Sequence, residues 1–104
     1  MREKRMTESQ TLLQIHLLEL GIKTEAEVQF MPDRKFRFDL ANDEHKLGFE
    51  CDGGKWKGGH MRGDALESQY EKDRLAQVYG WKIFRFTNQV INSGEARKWL
   101  KKYL

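Results

Sequence analysis

Two acids at alternate positions, Glu50 and Asp52, close an apolar run in 48-GFECDGGKWKGGH-60, and glycine and lysine follow at once. An ionised carboxylate withdrawn from water is costly unless something compensates it. A third acid, Asp39, stands in 36-FRFDLA-41. Strand alternation puts Phe36, Phe38 and Leu40 on one face of that segment and Arg37, Asp39 and Ala41 on the other. In 46-KLGFECD-52 it sets Leu47, Phe49 and Cys51 against Gly48, Glu50 and Asp52. A hairpin about 43-DEHK-46 pairs residue 41 with 48 and 39 with 50. Asp39 and Glu50 then become cross-strand neighbours with Cβ atoms about 5 Å apart, and Asp52 lies one step along the same face.

Three like charges on one face need a counter-charge. Arginines such as Arg37 and Arg85 are one source, and a divalent cation is the other. Magnesium takes oxygen ligands, needs only one or two carboxylates and completes its shell with water and phosphate. Gly53, Gly54, Gly58 and Gly59 bare the backbone beside the acids, where a bulky ligand can approach. Lys55, Lys57, His60 and Arg62 follow, with charges suited to phosphate oxygens. An acidic metal pocket rimmed by cations is apparatus for phosphodiester hydrolysis, in which the metal polarises phosphate and lowers the pKa of water. The glycines and the basic rim favour this reading over a plain ion-pair cluster.

The elements that must position these residues are short. The 104 residues fit one domain, 1–104, with 38% hydrophobic and 34% charged side chains. Helices are expected over 7–20, 64–79 and 93–104, and strands over 27–31, 36–41, 46–52 and 81–87. Thr7 with Gln10 forms a capping box, and Gly21 and Gly80 act as stops. The fold class is α/β (α+β): a small mixed sheet of about four strands flanked by helices, in the order α-β-β-β-α-β-α. No apolar run reaches bilayer length and no signal segment follows the basic start, so a cytoplasmic location is expected, with no membrane partner. The single cysteine, Cys51, excludes an internal disulfide and agrees with a reducing compartment. The net charge is +3 and the pI about 9.1, a mild bias towards polyanions.

Other residues carry less. His16 lies among leucines and reads as a core residue, and His45 falls in a turn. The three histidines have no zinc spacing. Cys51 faces the core and makes a poor nucleophile. Trp56 could stack on a base or cover an edge, whereas Trp81 reads as core. Arg85 breaks an apolar strand and points at the acids or at nucleic acid. The tail 97-RKWLKK-102 is a helix with a basic outer face.

The series FRFDLA, LGFECDGGKWKGGH and YEKDRLAQVYGWKIFRFTNQVI resembles small phage and bacterial nucleases of the PD-(D/E)XK superfamily, nearest to the VRR-Nuc-like and very-short-patch-repair-like groups. The resemblance covers about residues 27–92. It implies a restriction-endonuclease-like core and a Mg²⁺- or Mn²⁺-dependent endonuclease acting on DNA, with a preference for branched, nicked or flapped structures open. Asp39 matches the first metal-ligating acid of the family and Glu50 the second. The usual lysine position holds Asp52, which is either an added acid or a sign that the lysine comes from elsewhere. Lys72 on the following helix is the preferred substitute, with Gln69 beside it; an ordinary helix lysine paired with Glu67 or Asp73 is the plain alternative. Glu8 resembles a helix acid that supports the metal in some relatives, though it also suits the helix dipole. Pro32-Asp33 with 44-EHK-46 spells the superfamily's motif but falls in turns, and is rejected. A homodimer would supply two active sites for a duplex cut. The competing expectations are a non-catalytic nucleic-acid-binding module on the same fold and a structural protein whose acids pair with Arg37 and Arg85.

Overall fold

The computed structural model describes residues 6–53 and 63–104. Its elements are α1 (Glu8–Glu19), β1 (Glu25–Gln29), β2 (Arg37–Asn42), β3 (Leu47–Cys51), α2 (Asp64–Val78), β4 (Lys82–Phe86), α3 (Asn88–Asn92) and α4 (Glu95–Tyr103). The order is the expected one with a single short helix, α3, added. The four strands form one sheet in the order β1-β2-β3-β4. The first two pairings are antiparallel and β3 runs parallel to β4. No helix among the described residues is long and apolar enough to cross a membrane.

Local signals account for most boundaries. Thr7 and Gln10 make the capping box of α1, each side chain accepting from the other's backbone N–H. Gly21 follows the helix at φ +82°, a conformation that a Cβ disfavours. Asn42 closes the β2–β3 turn by accepting from the His45 N–H at 2.7 Å. The hairpin register is the expected one, with Ala41 opposite Gly48 and Asn42 opposite Leu47.

The sheet has helices on both faces. Leu13 and Leu17 of α1, Leu40, Phe49 and Cys51 of the sheet, Ile91 of α3 and Leu100 of α4 form the larger core. On the opposite face Phe38, Ala41 and Trp81 pack with Ala76 of α2. Phe38 and Leu40 therefore belong to different clusters, which corrects the expectation that Phe36, Phe38 and Leu40 share a face. The alternation slips at Asp39 although the register on either side is unchanged. The β1–β2 ladder steps from Ala26–Leu40 to Val28–Phe38, skipping Glu27 opposite Asp39. Glu27 has φ +55°, in the left-handed region. The Phe38 ring lies over Gly48, where a Cβ would come within 2.8 Å of ring carbons.

Candidate active site

Beyond the Leu40–Phe49 pair, the β2–β3 ladder gives way to side chains. The Asp39 backbone N–H donates to Glu50 Oε2 at 2.8 Å, and the Cys51 N–H donates to Asp39 Oδ2 at 2.8 Å. Each carboxylate thus caps the backbone of the facing strand. This reciprocal clasp fixes both acids without relying on a flexible side chain. Glu50 is 4% exposed and Asp52 6%, while Asp39 is half-buried.

Cations close in from α2 and β4. Lys72 Nζ donates to Glu50 Oε1 at 2.9 Å and also to the carbonyl of Arg37. Its side chain is 12% exposed, so it is neither a solvated helix lysine nor a partner of Asp73. Arg85, opposite Glu50 in the parallel register, is held by Asp73 through two bonds, Nη2 to Oδ1 at 2.6 Å and Nε to Oδ2 at 3.2 Å. Its Nη1 faces Asp52 at 3.2 and 3.4 Å and Glu50 Oε1 at 3.8 Å. Arg37 stays exposed and donates to the Glu27 carbonyl rather than to the acids.

Among the described residues four carboxylates, Asp39, Glu50, Asp52 and Asp73, meet two cations here, Lys72 and Arg85. Burial pushes the Glu50 carboxyl above its ordinary pKa; Lys72 opposes the shift and the charge of Asp39 adds to it. Burial works against the Arg85 charge, but the bond to Asp73 and the fields of Asp52, Asp73 and Glu50 outweigh it, and the guanidinium pKa rises.

A cleft of about 190 Å³ opens over these groups, lined by Phe36, Glu50, Ser68, Gln69, Lys72 and Arg85, with Ala65. Gln69 therefore shares the cleft with Lys72, as their spacing on α2 suggested. Glu8 lies elsewhere, in a cleft with Thr7, Ser9, Leu12, Asn88 and Asn92 that shares no lining residue with the first. Lys55, Lys57, His60 and Arg62 lie outside the described residues. Sequence reasoning missed Asp73 as the anchor of Arg85. The available signal was the arginine itself, placed in the apolar strand 81-WKIFRFT-87 where burial demands an acid.

The donor set can be weighed against a divalent cation. Among the described residues no group of three or more His, Cys, Asp or Glu side chains is arranged to hold a metal. Asp39 commits Oδ2 to the Cys51 amide, and among the described residues its Oδ1 has no hydrogen bond. Glu50 is its neighbour, with Oε2 accepting from the Asp39 amide and Oε1 from Lys72, so a metal would have to share it; both oxygens of Asp52 face Arg85. Magnesium needs only one or two carboxylates, with water and phosphate completing its shell, so Asp39 and Glu50, the latter shared between the metal and Lys72, are the pair that could hold one.

A mixed four-stranded sheet sandwiched by helices, with a clasped pair of acids where β2 and β3 part, defines the class of fold. Among solved structures it is similar to the catalytic domain of the homing endonuclease I-Bth0305I, with a TM-score of 0.70 at 13% identity over 93% of each chain. That likeness establishes the shared fold. No protein-family model and no curated protein matches the sequence.

Proposed function

We propose that the protein is a divalent-metal-dependent endonuclease that hydrolyses phosphodiester bonds in DNA, in the manner of the PD-(D/E)XK superfamily. The reciprocal clasp of Asp39 and Glu50, with Lys72 bonded to Glu50, carries this reading. The shared fold with a homing endonuclease catalytic domain supports it. Asp39 and Glu50 would hold Mg²⁺ or Mn²⁺, which supplies positive charge to the phosphate and lowers the pKa of water. Asp52 joins that set only when Arg85 releases it. Lys72, fixed by Glu50 and the Arg37 carbonyl, takes the role of the family lysine and orients the attacking water. Arg85, held from behind by Asp73, turns Nη1 towards the acids and lines the cleft, where it can meet phosphate charge. Gln69 completes the wall. Lys55, Lys57, His60 and Arg62 are proposed phosphate contacts; Glu8, in a separate cleft, is no part of the proposed site. A double-strand break needs two such clefts, so a homodimer is proposed for that product.

The test combines metal-dependent melting with nicking of supercoiled plasmid. Mn²⁺ should raise Tm and support nicking, and Asp39→Asn, which can keep the bond to the Cys51 amide, should abolish both. Metal-independent DNA binding without nicking would instead favour a non-catalytic binding module, a reading suggested by the neutralisation of Asp52 by Arg85.

A further inference from the structure

We infer that the outer face of α4 is a second nucleic-acid site, which takes an unpaired strand emerging from the cleft around the β4 edge. The inner side of α4 is spent on the core, with Ala96 and Leu100 fully buried. Its outer side presents Lys98, Lys101 and Lys102, none of which has an acidic partner among the described residues; Arg97 alone is paired, to Glu19 at 3.0 Å. Beside Lys98 and Lys102 stand two aromatic rings. Trp99 is 40% exposed and Tyr103 59%, with centroids 5.0 Å apart.

Trp99 does not float. It packs on Phe84 and Phe86 at 5.8 Å each and on Tyr103 at 5.0 Å, and Lys102 Nζ lies 5.3 Å from the Tyr103 ring, so the sheet holds the aromatic pair in place while part of each ring remains exposed. A shallow hollow of about 340 Å³ adjoins the rings, between Lys98, Lys102 and Glu95. Fixed aromatic faces among lysines suit nucleotides whose bases are free to stack, with the phosphates running past the ammonium groups. Paired bases in a duplex offer no such faces. A lipid surface fits less well, because the apolar side of a membrane-lying helix must be free, and here it is buried.

The route is short. β4 is an edge strand, and its alternate residues connect the two sites: Arg85 lines the cleft on one face, while Phe84 and Phe86 carry Trp99 on the other. No strand among the described residues lies beyond β4 to block a chain passing round it. The inference deepens the nuclease reading by naming flapped or single-stranded DNA as the substrate class, and rests on it only for that last step.

The first measurement is therefore made without metal. Binding of a labelled single-stranded oligonucleotide in EDTA is followed by anisotropy across a salt series, with a duplex of equal length as comparison and anionic lipid vesicles as competitor. Tyr103→Ala should weaken single-strand binding about 10-fold and leave duplex binding nearly unchanged. Lys98→Ala with Lys102→Ala should flatten the dependence of log K on log salt by about 0.7 per lysine. All three side chains are exposed, and matching melting curves verify the fold. Wild-type affinity and salt slope in these variants would overturn the inference, as would displacement of the oligonucleotide by vesicles. A second arm compares cleavage of flapped and plain duplex with Mn²⁺; loss of flap preference in the variants, with plain-duplex cleavage intact, is expected. If cleavage fails everywhere but the α4 variants still lose single-strand binding, the nuclease reading falls and the α4 site stands.

Discussion

Glu50 has an acid as cross-strand neighbour and a lysine and an arginine above it, and its pKa still rises because it is buried. The sign of the resulting pH dependence follows. Folded Glu50 holds its proton to higher pH than the unfolded chain does, so above the ordinary glutamate value of about 4.3 the native state binds more protons. In metal-free buffer stability should fall as pH rises from there through the raised folded pKa, and Mn²⁺ should offset the loss. Melting in EDTA against pH tests this, and Asp39→Asn should flatten the slope, because the Asp39 charge contributes to the shift. Lys72→Met strips the partner from a buried carboxylate and should cost about 3 kcal/mol by urea unfolding at neutral pH. It should also reduce nicking at least about 100-fold. The neighbourhood of Asp39 and Glu50 was legible in the sequence, because strand pairing follows from backbone geometry, whereas Lys72 entered only through the family resemblance. Asp73 was not, since its importance depends on how α2 meets β4, and nothing local to either segment records that.

Element by element, the legible parts were those with strong local chemistry: the capping box of α1, the Asn42 turn and the 41–48 register. α3 escaped because five residues make barely more than one turn, too short to show a period. Its one local mark is Thr87, whose Oγ1 accepts from the Val90 N–H at 3.2 Å. The face of Phe38 escaped because the ladder is interrupted at Glu27 and Asp39, and contacts between strands, not the local pattern, decide where that happens. Two glycines hold this region tight. Gly48→Ala drives a methyl into the buried Phe38 ring and should cost about 1–3 kcal/mol. At Gly53 a Cβ would meet the Asn88 side chain at 1.8–2.5 Å, joining the exit of β3 to the start of α3. Gly53→Ala should lower both Tm and nicking, and Asn88→Ala added to it should restore much of each. Failure of that rescue would place the constraint in the backbone instead.

At the scale of the whole molecule, composition pointed towards polyanions only mildly, and the fold turns a +3 chain into separate fields. Acids gather where β2 and β3 part, and lysines gather on α4. If two copies act on a duplex, nicked plasmid should form first, and linear product should rise more steeply than first order in protein; sedimentation on DNA checks the stoichiometry. The left-handed backbone of Glu27 has a consequence at this scale too. β1 is an outer strand, and a regular outer strand is a template on which another chain can add. With Glu27 turned to φ +55° the row of amides is broken near its middle, so no long straight rim remains for a stranger to zip onto. Glu27→Gly suits that conformation, so it should gain stability by about 1 kcal/mol or less and keep the break; Glu27→Val, which favours extended backbone, should lower Tm and raise the tendency to form fibrils in concentrated solution.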